Sequence, residues 1–205
     1  MKHTFAMVLL CGAFISSHGQ QTEIFSQKRN EVNIGSFNAF ELNANPNLGI
    51  GYKRTVKNGA WRIGTGLSYY TNSYEYQTST NTYKGYSISP RIGYEFHQNY
   101  NRLQLLYGVD LSTSFSDSQE ERIYENDENY NFEQTSGYSV GIRPLLGLKV
   151  YLSKMVSITA ETYLYINYTE STTVDTYGNN SNTYTTSGMR VGLAPLGVFS
   201  VNLHF

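Results

Sequence analysis

Eight stretches of this chain alternate apolar and polar residues at every second position, and the connections between them alternate between short and long. Successive side chains of a strand point to opposite faces, so the pattern reads as β-structure with two unlike faces. The opening stretch, NEVNIGSFNAFEL, is irregular: Val32 and Ile34 fall on one face, Phe37 and Ala39 on the other, which predicts a bulge. LGIGYKRTV, AWRIGTGLSYY, GYSISPRIGYEF, RLQLLYGVDLSTSF, GYSVGIRPLLGLKVYL, VSITAETYLYINY and GMRVGLAPLGVFSVNLHF follow. The connections at Lys57–Gly59, His97–Asn101 and Ser153–Met155 are short turns. Those over residues 71–83, 116–136 and 169–186 are long, polar and rich in Ser, Thr, Asn and Tyr, and read as loops.

Short turns on one rim, long loops on the other and an even strand count are the pattern of a transmembrane β-barrel. The expected fold is therefore all-β: an eight-stranded antiparallel up-and-down transmembrane barrel over residues 31–205. Both termini then lie at the short-turn rim. Soluble barrels and sandwiches alternate too, but turn their apolar residues inward. Here the polar face is small or charged, with Gly64, Gly66, Gly93, Gly108, Gly141, Gly147 and Gly192 set among Lys53, Arg62, Arg91, Glu95, Asp110, Arg143, Lys149, Glu161 and Arg190. Such residues suit a narrow lumen better than a solvated exterior. The apolar face ends in aromatics: Tyr69, Tyr86, Phe115, Tyr138 and Tyr168 near the long loops, Trp61, Phe96 and Phe205 near the short turns. Two girdles of this kind flank the apolar band of a membrane barrel.

The ends of the chain point the same way. Phe199, Val201, Leu203 and Phe205 alternate with Ser200, Asn202 and His204 up to the last residue. In the barrel reading they face lipid on the closing strand, and such an ending is similar to the signal read by the outer-membrane insertion machinery. At the start, Lys2 precedes an apolar run from Phe5 to Ile15 and then the small residues Ser17 and Gly19. The run is too short for a membrane helix, which takes about 20 residues. It reads as a secretory signal over residues 1–19, cleaved before Gln20, with residues 20–30 a short periplasmic segment. Cys11, the single cysteine, leaves with that signal, so neither disulfide nor thiolate chemistry is expected. Removing Lys2 from 15 Lys+Arg leaves 14 against 16 Asp+Glu, too near neutral to suggest nucleic acid.

SISPRIGYEF (Ser87–Phe96) and the opening NEVNIGSFNAFEL with LGIGYKR resemble the small outer-membrane β-barrel domain family, the OMP β-barrel group abundant in Bacteroidota-type Gram-negative bacteria. The resemblance runs from about Asn30 to Phe205 and implies an OmpA/OmpX-like barrel in the outer membrane. It brings no catalytic residue with it. Pro90, Pro144 and Pro195 belong to the same pattern, each on the apolar face of an alternate strand.

Eight strands enclose a space that side chains fill. The inward charges are therefore expected to pair into a plug; a charged filter or a pocket for a small anion is the alternative, since basic residues outnumber acidic ones in the set. No enzyme and no cofactor are expected. After the signal the only histidines are His97 and His204, both at the short-turn rim, and no Ser–His–Asp grouping presents itself. Asp117, Glu120, Glu121, Glu125, Asp127 and Glu128 could hold divalent cations that bridge to lipopolysaccharide phosphates, but they lack EF-hand spacing, and a solvated loop is the simpler reading. The expected partners are outer-membrane lipids, lipopolysaccharide, the insertion machinery and an unidentified external ligand of the loops. A monomer is expected.

Overall fold

In the computed structural model, which describes residues 28–37, 47–57, 59–76, 79–124 and 130–205, eight strands follow one another around a closed antiparallel barrel. They are β1 (Asn30–Phe37), β2 (Asn47–Val56), β3 (Gly59–Tyr76), β4 (Ser79–Tyr100), β5 (Leu103–Tyr124), β6 (Tyr130–Tyr151), β7 (Val156–Tyr177) and β8 (Asn180–His204). Closure comes from β1 and β8, with Val32 opposite Leu203 and Ile34 opposite Val201. The segments expected over residues 1–19 and, apart from its last three residues, 20–30 lie outside the described residues.

Exposure runs opposite to that of a water-soluble domain. Ile50, Trp61, Ile63, Leu111, Val140, Ile142, Leu148 and Val201 face outward and are exposed, while Lys53, Arg62, Glu95, Asp110, Lys149 and Glu161 are buried inside. Tyr69, Tyr86, Phe115, Tyr138 and Tyr168 ring the outer surface at one end of this apolar belt, and Trp61, Phe96 and Phe205 at the other; all are exposed. Along β6 the belt runs from Tyr138 to Val150. Twelve residue steps of about 3.3 Å, tilted by about 40°, give it a height of about 30 Å.

The long loops of the sequence reading are strands. Residues 71–76, 79–83, 116–124, 130–136, 169–177 and 180–186 continue β3 to β8 beyond the belt as three hairpins. The reason for the misreading is local. Outside the belt both faces are wet, so the apolar alternation disappears, yet Thr and Tyr keep their preference for extended backbone. Cross-strand polar pairs then hold the sheet: Thr135 and Thr173 hydroxyls lie 2.8 Å apart, Thr172 and Thr185 3.1 Å, and Tyr74 packs edge-on against Tyr83. We call this extension the crown. On β6 it rises about 20 Å above Tyr138.

The turns are tight. Asn101 (φ 54°) follows Tyr100 between β4 and β5, so β4 continues through most of the stretch read as a turn. Gly178 (φ 56°) opens the two-residue turn between β7 and β8. Both positions need the left-handed region that Gly and Asn tolerate best.

The bulge expected in the first strand is absent from its described residues. β1 keeps one register against β2 and one against β8, placing Val32 and Ile34 outside and Glu31 and Asn33 inside. The register shift falls instead between Glu161 and Tyr163, opposite Pro195. Each outward proline interrupts one ladder: Pro90 the pairing of β4 with β5, Pro144 that of β6 with β7, and Pro195 that of β8 with β7. Proline has no N–H to give, and its other neighbour keeps pairing in the first two cases.

Candidate functional site

Alternation along β2, β3, β4, β5 and β7 sends Lys53, Arg62, Glu95, Asp110 and Glu161 to one level of the lumen. Arg62 is the hub. Its Nη1 donates to Glu95 Oε2 at 2.7 Å, its Nη2 to Glu161 Oε2 at 2.8 Å, and its Nε lies 3.1 Å from Asp110 Oδ1. Lys53 Nζ donates to both Glu95 oxygens, at 3.1 and 2.9 Å, and lies 3.4 Å from Glu161 Oε1. Below them Lys149 donates to Glu31, and Lys53 lies 3.9 Å from the other Glu31 oxygen. His97 Nε2 lies 3.0 Å from Glu95 Oε1. Glycines make the space: a Cβ on Gly93 would strike Asp110 Oδ1, and one on Gly147 would press on the Glu161 side chain. The result is a buried, charge-paired cluster.

Arg91, Arg143 and Arg190 stand on the crown side of this hub. Arg91 sits in electrostatic reach of Asp110 and Glu161 as well as of Arg62 and Arg143. Arg143 stacks over the Tyr163 ring, 5.2 Å from its centroid. Arg190 stands exposed on β8, opposite Asn167 of β7. The nine charges expected to form one network thus divide into a lower plug and an upper arginine group.

Glu31 was missed because the expected bulge left the register of its strand undecided. Its signal is nevertheless present: it alternates with Val32 and Ile34. The same holds for Asn202 and His204, which alternate with the outward Val201, Leu203 and Phe205. Phe199, Val201, Leu203 and Phe205 are all exposed on the outer face of β8.

The lumen floor also holds a grouping absent from the sequence reading. Ser157 Oγ lies 2.8 Å from His204 Nε2, and His204 Nδ1 lies 3.6 Å from Glu31 Oε2. Asn202 Nδ2 donates to Ser157 Oγ at 2.9 Å and to Thr159 Oγ1 at 2.7 Å. This is the order of a Ser–His–acid triad, but Ser157 is 0% exposed and the Glu31 oxygen facing His204 already accepts from Lys149. No substrate can reach the hydroxyl. The run Gly137-Tyr138-Ser139-Val140-Gly141 has the Gly-x-Ser-x-Gly spacing, yet it lies within β6 and not at the strand-to-helix turn that exposes a nucleophile.

Of the acidic residues considered for a cation, Glu125, Asp127 and Glu128 lie outside the described residues. Asp117 accepts from Gln134 Nε2 at 3.1 Å, and Glu120 pairs with Arg122 at 3.2 Å. Alternation along β5 turns Asp117 and Glu121 to one face and Glu120 to the other, so the three do not converge. Among the described residues no cluster of three carboxylate, His or Cys groups is placed to hold a metal ion.

No protein-family model matches the chain, and no curated protein does. Three solved structures are similar in shape at low sequence identity. A major outer membrane protein from Thermus thermophilus has a TM-score of 0.44 and 9% identity, over 87% of this chain and 100% of that one. CarO2 of Acinetobacter baumannii has a TM-score of 0.41 and 10% identity, over 87% and 98% of the two chains. CarO of the same species has a TM-score of 0.39 and 12% identity, over 86% and 97%. The barrel itself rests on the strand ladders of this chain.

Proposed function

We propose that this protein is an outer-membrane β-barrel whose lumen is closed by its own charges and whose role is exercised by the crown. One observation carries the reading: among the described residues the outer surface is a mostly apolar belt between aromatic rings, while the interior is ionic. A belt about 30 Å tall would expose a large apolar area to water, and only a lipid environment of that thickness makes the arrangement favourable.

The crown would then stand in the external medium among lipopolysaccharide. Its Thr-, Ser-, Asn- and Tyr-rich strands offer adaptable hydrogen bonding and flat aromatic contact, the chemistry of antibody loops. On this reading the protein acts as a monomeric surface-interaction or structural barrel, not as an enzyme. The two readings of the lumen separate in a planar bilayer. The refolded chain, shown folded by its heat-dependent gel shift, is expected to give no conductance steps. Stable steps would overturn the plug. Failure to insert into vesicles, with the chain folded and monodisperse in detergent-free buffer, would overturn the membrane assignment.

A further inference from the structure

Above the charge cluster the lumen changes character. Tyr70 of β3 and Tyr165 of β7 point inward, as Arg62 and Glu161 do farther down the same strands. Each ring lies along the wall and not across the lumen. A Cβ on Gly85 of β4 would strike the Tyr70 ring, and one on Gly192 of β8 would strike the Tyr165 ring and hydroxyl. Each glycine thus makes room for a tyrosine laid over the neighbouring strand, with its face turned to the interior.

The registers put the two rings on opposite walls. β3 and β7 are four strands apart in a ring of eight, so they stand face to face. Rungs climb as they go round: the one that leaves Ser36 of β1 passes Leu67 and Phe115 and reaches β8 at Ser187, although the β8 partner of Ser36 is Phe199. From 199 to 187 is 12 positions, of which the register shift opposite Pro195 takes two, so half a turn climbs about five. The Tyr70 rung meets β7 at Thr173, which puts the level of Tyr70 between Asn167 and Thr169. Tyr165 then lies about three positions, or about 8 Å, nearer the charge cluster. Ser87, Ser114 and Ser139 come to these heights on the arc between the two rings.

Solvent reaches this level and stops below it: Tyr70, Ser87, Ser114, Ser139 and Tyr165 are half-buried, whereas Glu95 is 0% exposed. Eight strands about 4.8 Å apart and tilted by about 40° make a wall about 16 Å across. A ring laid on each side takes about 4 Å, which leaves a passage about 8 Å wide. The serines are paired, Ser68 with Ser87 at 2.7 Å and Ser89 with Ser114 at 3.0 Å. One hydrogen bond per pair leaves an O–H and lone pairs to offer a ligand.

We propose that this mouth is a saccharide-binding site, entered from the crown side, in which successive sugar rings lie against Tyr70 and then Tyr165. A pyranose has C–H groups on its faces and hydroxyls around its edge. The faces match the two staggered aromatic platforms, and the edge matches the serine arc, which an apolar ligand would leave unsatisfied. The proposal deepens the surface reading of the crown and rests on it for access.

The test is calorimetric titration of the full chain, refolded in a polyoxyethylene detergent whose headgroup holds no sugar. Maltotriose probes a free saccharide, and the delipidated core oligosaccharide of lipopolysaccharide probes the headgroup of a neighbouring lipid. Saturable binding at one site per chain is expected in at least one arm, and the responding arm names the source. Tyr70→Ala and Tyr165→Ala should each weaken binding about tenfold, while Tyr70→Phe, which keeps the ring, should stay within about twofold of the wild type. Tyr177→Ala, at the crown tip, should change nothing. No saturable binding in either arm, or unchanged affinity in whichever alanine variant at Tyr70 or Tyr165 refolds, would overturn the proposal. Insertion into vesicles is scored separately, so failure of the membrane and crown reading and failure of the sugar site are distinguishable.

Discussion

Arg62 of β3 and Glu161 of β7 meet across the full width of the lumen, Nη2 to Oε2 2.8 Å, with three strands between them whichever way the wall is followed. Lys53 and Glu95 tie the adjoining strands β2 and β4 to the same point. Ladders join neighbours only, so these ion pairs are what brace opposite sides of the wall against each other. The sheet makes the tube; the plug sets its shape.

Removing the hub should therefore cost more than removing a ladder contact. Arg62→Met leaves Glu95, Asp110 and Glu161 with Lys53 as their main cation and is expected to lower stability by about 3–5 kcal/mol. Lys149→Met strands Glu31 in the same way, while Lys149→Met combined with Glu31→Met should recover most of the loss. Urea titration in lipid vesicles, followed by the gel shift, measures both. A Lys149→Met midpoint equal to that of the wild type would refute a bracing role.

Glycine positions should divide sharply. A Cβ at Gly93 would collide with Asp110 Oδ1 and the Val109 carbonyl, whereas one at Gly188 meets nothing within 4 Å. Gly93→Ala is expected to destabilise by about 1–3 kcal/mol through overpacking. Gly188→Ala should be neutral or slightly stabilising, by up to about 1 kcal/mol, because it restricts the unfolded chain. Equal midpoints for the two variants would contradict the filled lumen.

The crown should be dispensable for folding. Asp117 and Ser136 are register partners, so deleting residues 118–135 shortens the β5–β6 hairpin without disturbing the belt. The deleted protein is expected to insert into vesicles and show the same heat-dependent shift, while any surface interaction of the intact protein weakens. Loss of insertion would show that the crown helps build the barrel.

Ser157 should be silent towards serine-directed reagents. Its hydroxyl is enclosed with His204, Asn202 and Thr159. A fluorophosphonate probe is expected to leave it unlabelled in the folded protein, and Ser157→Ala should lower stability by about 1 kcal/mol through the lost hydrogen bonds. Labelling that disappears in Ser157→Ala would instead reveal an accessible nucleophile.

Which residues face out and which face in was legible along the chain, because period-two alternation is a property of each strand alone. Val201 and Leu203 on one side of β8, and Asn202 and His204 on the other, need no knowledge of their neighbours. The eight strands, the belt with its two aromatic rings and most of the lumen charges follow from that single rule. Where both faces are wet the rule falls silent, which is why the crown strands around Thr135, Thr173 and Tyr184 read as loops. Partnership is another matter. That Arg62 reaches Glu161 as well as Glu95 and Asp110, that Glu31 answers Lys149, and that Ser157, Asn202 and His204 share one enclosure were decided by register and ring closure. Those set distances between residues 33 to 118 positions apart, and no local pattern carries that information.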